Sequence, residues 1–259
     1  MKQSSALQIF IFPCLQDNYC FLLHDNESNT TAVVDTPDVA AIKQALAKNR
    51  WNLTYILNTH HHWDHAGGNL ELKNETGCKI FGPRAEASKI PGIDVELGEG
   101  DVFRLGKFTA DIYDTPGHTS GHIVYHFKDE SVAFVGDTLF AMGCGRLFEG
   151  TAEQMWHSLQ KIMLWPDQTK IYCAHEYTQT NAHFALTVDP HNKELISRSK
   201  EVDNMRTKGS PTIPTDLAYE KKTNPFLRPS SKQIRQTLNM LNVADVEVFA
   251  KIRQLKDSF

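Results

Sequence analysis

The tract Thr59-His60-His61-His62-Trp63-Asp64-His65 concentrates side chains that bind metal ions. His60, His62, Asp64 and His65 offer imidazole and carboxylate donors, a set that suits zinc, iron or manganese and does not require thiolate. Alternate residues His60 and His62 can point the same way and grip one cation, which leaves Asp64 and His65 to face a second site beside it. His61 falls between the alternating pair and points away. A His-rich tract can also be an expression tag. This one is internal, is interrupted by Trp63 and Asp64, and follows the run Tyr55-Ile56-Leu57-Asn58. That run reads as a buried strand, and Gly67-Gly68 and a helical pattern come after the tract. The donors therefore fall on a loop at the carboxyl end of a strand, where α/β sheets usually place their chemistry.

The pattern His-x-His-x-Asp-His resembles the signature of the metallo-β-lactamase superfamily, and in particular of its binuclear hydrolases. The resemblance implies three more ligands later in the chain: a His, a bridging Asp and a last His. Pro116-Gly117 makes a tight turn after the strand Asp111 to Tyr113 and presents His118, which matches the first of these. His122 reads as structural or as a support behind the ligands, although it is a ligand by type, and His126 reads as an ordinary strand residue. The strand Val132 to Val135 leads into Gly136-Asp137. Asp is common in turns, so Asp137 takes the bridging role only from its order and context in the family pattern. The strand Lys170 to Cys173 ends in Ala174-His175, the match for the last ligand. By this resemblance His60, His62 and His118 take one metal, Asp64, His65 and His175 the other, and Asp137 bridges them. Two dications against two carboxylates and a bridging hydroxide leave a net positive site. Such a site lowers the pKa of water towards ~7 and attracts an anionic substrate.

The elements that must position these residues can be traced in order. Leu7 to Phe12, Tyr19 to Leu23 and Thr31 to Val34 read as strands, the first two separated by the turn signal Gln16-Asp17-Asn18. Thr36-Pro37 looks like an N-cap and first helical position for a helix from Asp38 to Lys48. A helix from Asn69 to Glu75 ends at Gly77, and Lys79 to Phe81 is a short strand. Val95 to Val135 is again strand-like. Thr151-Ala152-Glu153-Gln154 is a capping box that opens a helix running to about Trp165. After His175 the strand patterns give way to helical ones: Tyr177 to Val188, Lys193 to Met205, Thr215 to Lys221, Lys232 to Leu241, and Asp245 to the end. The expected fold is α/β: an αββα metallo-β-lactamase-type sandwich over residues 1–175, followed by a smaller all-α domain over 176–259.

The tail narrows the resemblance. The segments Gly143-Cys144-Gly145-Arg146-Leu147-Phe148-Glu149-Gly150, His175-Glu176-Tyr177-Thr178, Thr223-Asn224-Pro225-Phe226-Leu227-Arg228 and Arg253-Gln254-Leu255-Lys256-Asp257-Ser258-Phe259 are similar to the hydroxyacylglutathione hydrolase (glyoxalase II) family, over the whole chain. The resemblance implies that Arg146, Tyr177, Arg253 and Lys256 bind the glutathione part of a thioester. Many relatives carry Lys at Arg146 and Tyr at Phe148; the first change keeps the charge and the second removes a hydroxyl contact. By composition alone, Arg253 and Lys256 read as a solvated helix face. Their spacing of three nevertheless puts both on one side, where they could clamp a carboxylate.

The implied reaction is hydrolysis of S-D-lactoylglutathione by a metal-bound hydroxide that Asp64 orients, the second step of methylglyoxal detoxification. Neither a Ser nor a Cys nucleophile is needed. Asp35, at a strand end, is either a turn residue or the group that orients a ligand imidazole, and Cys144 is assigned either to support behind the ligands or to packing. An iron-dependent glutathione persulfide dioxygenase is the alternative activity, and the long tail with Arg253 and Lys256 argues for the hydrolase.

Composition sets the remaining bounds. The chain of 259 residues is 41% hydrophobic and 22% charged, ordinary values for a globular protein. A formal charge of −4 and the absence of a Lys/Arg block argue against nucleic-acid binding. Five cysteines without a close pair suggest a reducing, cytoplasmic compartment. No apolar run is long enough to span a membrane. The expected cofactors are two divalent ions per chain, zinc ahead of iron or manganese. The expected partner is a small glutathione thioester, and the expected state a monomer.

Overall fold

The computed structural model describes residues 6–259, which form two compact units. One unit comprises the chain up to Asp114 together with Ser120–Gly136. Its first sheet is built from β1 (Gln8–Cys14), β2 (Asn18–Asp25), β3 (Thr30–Val34), β4 (Tyr55–Leu57), β5 (Lys79–Pro83) and β6 (Val95–Leu97), in that spatial order. Helix α1 (Val39–Asn49) crosses from β3 to β4, and α2 (Trp63–Ala66) and α3 (Asn69–Thr76) lie between β4 and β5. β1, β2 and β3 pair antiparallel, and β3 to β6 run parallel. A second group of strands, β7 (Val102–Leu105), β8 (Phe108–Asp114), β9 (Ile123–Phe127) and β10 (Val132–Gly136), is an antiparallel meander.

The alternation of side chains along the strands explains the layering. Leu22, Val33, Ile56 and Ile80 point to one face of the first sheet and pack with Ile42, Ala45 and Leu46 of α1 and Leu72 of α3. Their neighbours Phe21, Tyr55 and Phe81 point to the other face. There Phe21 meets Phe134 of β10 at 5.4 Å between ring centroids, and Tyr55 and Phe81 meet Phe103 of β7 at 5.7 and 5.0 Å. β2 is buried along its whole length, because it is flanked by β1 and β3 and covered on both faces.

The other unit comprises Thr115–Thr119 and Asp137–Phe259. It contains the small hairpin β11 (Leu139–Phe140) and β12 (Gly143–Cys144), helix α4 (Ala152–Met163), strand β13 (Lys170–Cys173), helices α5 (Thr178–Val188) and α6 (Lys193–Thr207), strand β14 (Thr215–Asp216), and helices α7 (Leu217–Thr223), α8 (Lys232–Thr237) and α9 (Asp245–Asp257). The capping box of α4 is formed: Gln154 N donates to Thr151 Oγ1 at 3.2 Å, and Thr151 N donates to Gln154 Oε1 at 2.9 Å. Aromatic side chains knit the helices, with Phe249 of α9 against Trp156 of α4 at 5.9 Å and against Phe226 at 5.8 Å.

The α/β sheets and the helical C-terminal region agree with the expected fold class. Three local expectations need correction. The N-cap of α1 is Asp38, whose carboxylate accepts from Ala41 N at 3.0 Å; Thr36 instead donates to Asn69 Oδ1. The metal tract is not all loop, because His65 N and Ala66 N both donate to His62 O and close the single turn α2. The tail is helical except for β14, which pairs antiparallel with β13. Two residues are too few to show a period of two, so this strand left no pattern. Among the described residues no helix is long and apolar enough to cross a membrane.

His126 on β9 is buried, and burial draws its pKa down to about 4 although Asp111 opposes the shift. A histidine with a folded pKa below its unfolded value binds protons more readily when unfolded. Its contribution to stability is therefore present above about pH 6.5 and lost as pH falls towards 4. Urea unfolding at pH 7 and pH 4.5 should show His126→Gln reducing the acid loss by about 2–3 kcal/mol. An unchanged acid slope would remove His126 as its source.

Candidate metal centre

In the first unit the donors are set at the carboxyl ends of two adjacent parallel strands. β3 ends at Val34, in register with Leu57 at the end of β4, so Asp35 lies beside Asn58 and Thr59. Asp35 is buried with φ 58°. Its Oδ1 accepts from Thr59 N at 2.9 Å, and its Oδ2 accepts from Thr59 Oγ1 at 2.9 Å and lies 2.8 Å from His65 Nδ1. The carboxylate thus ties the loop to the sheet and turns the His65 ring so that Nε2 faces away from Asp35. Of the two roles open to Asp35, the geometry favours the orienting one.

The other donors are held in similar ways. His60 is fully buried, with Nδ1 3.1 Å from Thr59 Oγ1 and its ring stacked on His122 at 4.8 Å. Its Nε2 lies 3.1 Å from His62 Nδ1, so the two alternate imidazoles do converge. The Asp64 carboxylate accepts from Asn18 Nδ2 at 3.1 Å. His61 is turned aside as expected: its N and Nδ1 lie 2.9 and 2.7 Å from Glu86 Oε2. Behind the tract, Asn58 Nδ2 donates to His65 O at 2.8 Å and Asn69 Nδ2 donates to Asn58 Oδ1 at 2.7 Å. His122 belongs to this support: a Cβ on Gly136, whose φ is +47°, would come within 2.7 Å of its Nε2 and 2.6 Å of Thr59 Oγ1. Only glycine fits that position.

Asn18, Asn58, Asn69 and Glu86 escaped the sequence reading. They bear amide or carboxylate groups on no shared period, and Asn18 and Glu86 are also far from the motif in the chain. A buried polar residue is visible only once its burial is known.

In the second unit His118, Asp137 and His175 come together. All three are buried, and Asp137 Oδ2 lies 3.3 Å from His118 Nε2 and 3.4 Å from His175 Nε2. The far nitrogen of His118, Nδ1, lies 2.8 Å from Arg146 O, which fixes the ring. His175 stacks flat on Tyr177 at 4.7 Å, with Phe140 edge-on at 5.9 Å. Gly145 N donates to Thr138 O at 3.2 Å, so the turn after β12 lies against the backbone next to Asp137.

The residues expected to bind substrate differ in character. Arg146 is exposed, 3.4 Å from Asp257 Oδ1 and over the Phe148 ring. Tyr177 is partly exposed. Arg253 is not on a solvated face: it is only 6% exposed, and its Nη1 donates to Cys144 O at 2.9 Å. Its Nε and Nη2 reach Asp257 Oδ1 at 3.1 and 2.9 Å. Lys256 is half-buried, with Nζ over the rings of Phe184 and Phe259 at 5.3 and 5.0 Å. Burial and the cations Arg253 and Arg146 draw its pKa down to about 8. Cys144 is buried, its thiol pushed up to about 11, as befits packing rather than nucleophilic chemistry.

Comparison with known proteins places this geometry. Residues 16–175 match the metallo-beta-lactamase superfamily, and residues 176–259 match the hydroxyacylglutathione hydrolase C-terminus. A hydroxyacylglutathione hydrolase of Maricaulis maris is 53% identical, covering 98% of this chain and all of that one. Another, from Methylococcus capsulatus, is 52% identical, covering 98% of this chain and 99% of that one. The chain belongs to the hydroxyacylglutathione hydrolase family. Among solved structures, ETHE1 from Myxococcus xanthus superposes with a TM-score of 0.65 at 24% identity, covering 95% of each chain, a likeness of fold.

Membership in the hydroxyacylglutathione hydrolase family agrees with the donor set. Imidazole and carboxylate donors on this fold suit divalent metal ions. Hydrogen bonds at the far nitrogens of His60, His65 and His118 are what such ions require of their supports. The family's C-terminal segment carries Tyr177, Arg253 and Lys256.

Gly145 is the tightest position in the second unit, because a Cβ there would lie 2.0 Å from Asp137 O. That contact is with backbone and cannot be relieved by a rotamer change. Gly145→Ala should cost about 1–3 kcal/mol, seen as a Tm several degrees lower in the metal-free protein. An unchanged Tm would show that the turn is looser than its packing indicates.

Proposed function

We propose that this chain hydrolyses S-D-lactoylglutathione and related S-2-hydroxyacylglutathiones to the 2-hydroxy acid and glutathione, the second step of methylglyoxal detoxification. The observation that carries this is its likeness to curated hydroxyacylglutathione hydrolases, about half identical along essentially the whole of both chains. The match of the tail to the family's own C-terminal segment favours the hydrolase over a persulfide dioxygenase.

In this reading His60, His62 and His118 would hold one divalent ion and Asp64, His65 and His175 a second, with Asp137 serving both, and zinc is preferred to iron or manganese. Divalent ions bound there would supply Lewis acidity and make hydroxide available at neutral pH, by lowering the pKa of water towards ~7. Asp64, its carboxylate fixed by Asn18, orients the attacking hydroxide. The C–O bond forms as the thioester C–S bond breaks, and glutathione leaves as its thiol or thiolate. Arg146, Tyr177 and Lys256 face the glutathione portion. Arg253, already bonded to Cys144 O and Asp257, shapes the surface from which they work.

Residues 1–175 act as the catalytic domain, and the helical domain 176–259 contributes to thioester binding. The protein works as a cytoplasmic monomer with no nucleic-acid or membrane partner. Five free, buried cysteines fit a reducing compartment.

Asp137→Asn removes a negative charge from between two cations. Metal analysis and thioester assays should show fewer than two ions per chain and a steep fall in turnover; two ions and a normal rate would exclude the bridge. Lys256→Ala should raise KM for glutathione thioesters by roughly one to two powers of ten, the worth of one charge-assisted contact. It should leave a small thioester without the peptide nearly unaffected. In the unaltered protein that KM should climb above about pH 8, where Lys256 loses its proton. Lys256→Arg should move the climb to higher pH, and a KM flat to pH 9.5 would exclude Lys256 as the charged contact.

A further inference from the structure

The hairpin β11–β12 has two residues in each strand, too few to hold its own shape. The tail fixes it instead. Asn224 Nδ2 lies 3.1 Å from Phe140 O and 2.9 Å from Gly143 O, and donates to both. Asn181 Nδ2 donates to Ala141 O at 3.1 Å. Met142, at φ 54°, donates its N–H to Glu220 Oε2 at 2.7 Å. Glu220 is fully buried, and its other oxygen accepts from Thr215 Oγ1 at 2.8 Å and Arg198 Nη2 at 2.6 Å. The peptide groups at the hairpin tip are thus bonded to side chains of α5, α7 and the segment after α7.

The hairpin in turn reaches each donor of the second unit. Asp137 is two residues ahead of β11. The turn after β12 presents Arg146 O to His118 Nδ1 at 2.8 Å. The Phe140 ring meets His175 at 5.9 Å and Tyr177 at 5.4 Å. A shift of this hairpin must displace a carboxylate and two imidazoles together.

We propose that Glu220 and Asn224 are positioning residues for the metal centre: through the hairpin they set the mutual placement of His118, Asp137 and His175. The proposal rests on the reading of those three residues as ligands. It also gives a purpose to the segment Thr223-Asn224-Pro225-Phe226, in which Asn224 Oδ1 accepts from Phe226 N at 3.0 Å and so starts the turn that follows.

Asn224→Ser separates these duties. Serine can still cap the turn but cannot reach the hairpin carbonyls. Glu220→Gln, which keeps shape and removes charge, is the second variant should the first fold poorly. Metal affinity is read by competition with a chromogenic chelator, beside circular dichroism and Tm of the metal-free protein. Asn224→Ser is expected to weaken metal binding by roughly 10- to 100-fold, the range for losing a group that orients a ligand. It should lower kcat while KM for the glutathione thioester stays within about twofold, and Glu220→Gln should do the same. Unchanged metal affinity in both variants, whatever their Tm, would overturn the proposal and leave the network a fold-stabilising one. Asp137→Asn is the control. If it keeps its metals too, the ligand assignment fails, which is a different result from the failure of Glu220 and Asn224 as its supports.

Discussion

The buried carboxylate of Asp35 is the constraint on which the first set of donors depends. An uncompensated charge in that position would be costly, and here the N–H and hydroxyl of Thr59 and the ring of His65 satisfy it. Those groups belong to the metal tract, so compensating the charge also locks the tract in place. The parallel register of Val34 with Leu57 brings Asp35 to this point, and the positive φ of Asp35 turns its side chain out of the strand direction. A slip of one residue between β3 and β4 would undo both. Sheet pairing and donor geometry are therefore one problem in this unit.

The second set of donors solves the same problem by other means. Asp137 comes directly after the last residue of β10. Beyond it lie a two-residue-per-strand hairpin and a turn after Gly117, each too small to be rigid alone. Rigidity comes from close approach and from borrowed hydrogen bonds. Gly145 lets two backbone segments touch, Ser158 Oγ of α4 donates to Pro116 O at 2.7 Å, and buried Glu220, paired with the largely covered Arg198, anchors the hairpin tip. A buried ion pair is weak support for stability but can impose a single arrangement where several would otherwise compete. Glu220 fits that use, because both of its oxygens are engaged.

The features legible in the sequence are those with a period or a signature. β2, β10 and β13 are short apolar runs bounded by turn residues. The helix after Thr151 announces itself by its capping box. His60, His62, Asp64 and His65 stand together in the chain, and His118, Asp137 and His175 each follow a strand in a recognisable order. What could not be read has a physical reason in each case. Thr36 is an accepted N-cap type as Asp38 is, and only its tertiary contacts with Asn69 and His65 O show that it is used elsewhere. The polar groups behind the donors, Asn18, Asn58, Asn69 and Glu86, obey no spacing rule, and only tertiary contact brings in Asn18 and Glu86.

Arg253 and Lys256 show most clearly how composition misleads. On a helix of mixed charge, two cations three residues apart are ordinarily solvated. Phe249 of α9 instead packs on Phe226, and Arg253 lies over the same Phe226 ring inside the protein, where its planar fork divides between a backbone carbonyl and Asp257. Lysine could not supply that fork. Lys256, with Nζ over two aromatic rings and two other cations nearby, holds its proton less firmly than a surface lysine does. A neighbouring anion would reverse that penalty, since it favours the charged form that burial disfavours. Within a chain of net negative charge, Arg146, Arg253 and Lys256 form a local grouping of cations that Asp257 offsets only in part: it lies 3.4 Å from Arg146 and 2.9 Å from Arg253, and the Lys256 pKa is still drawn down.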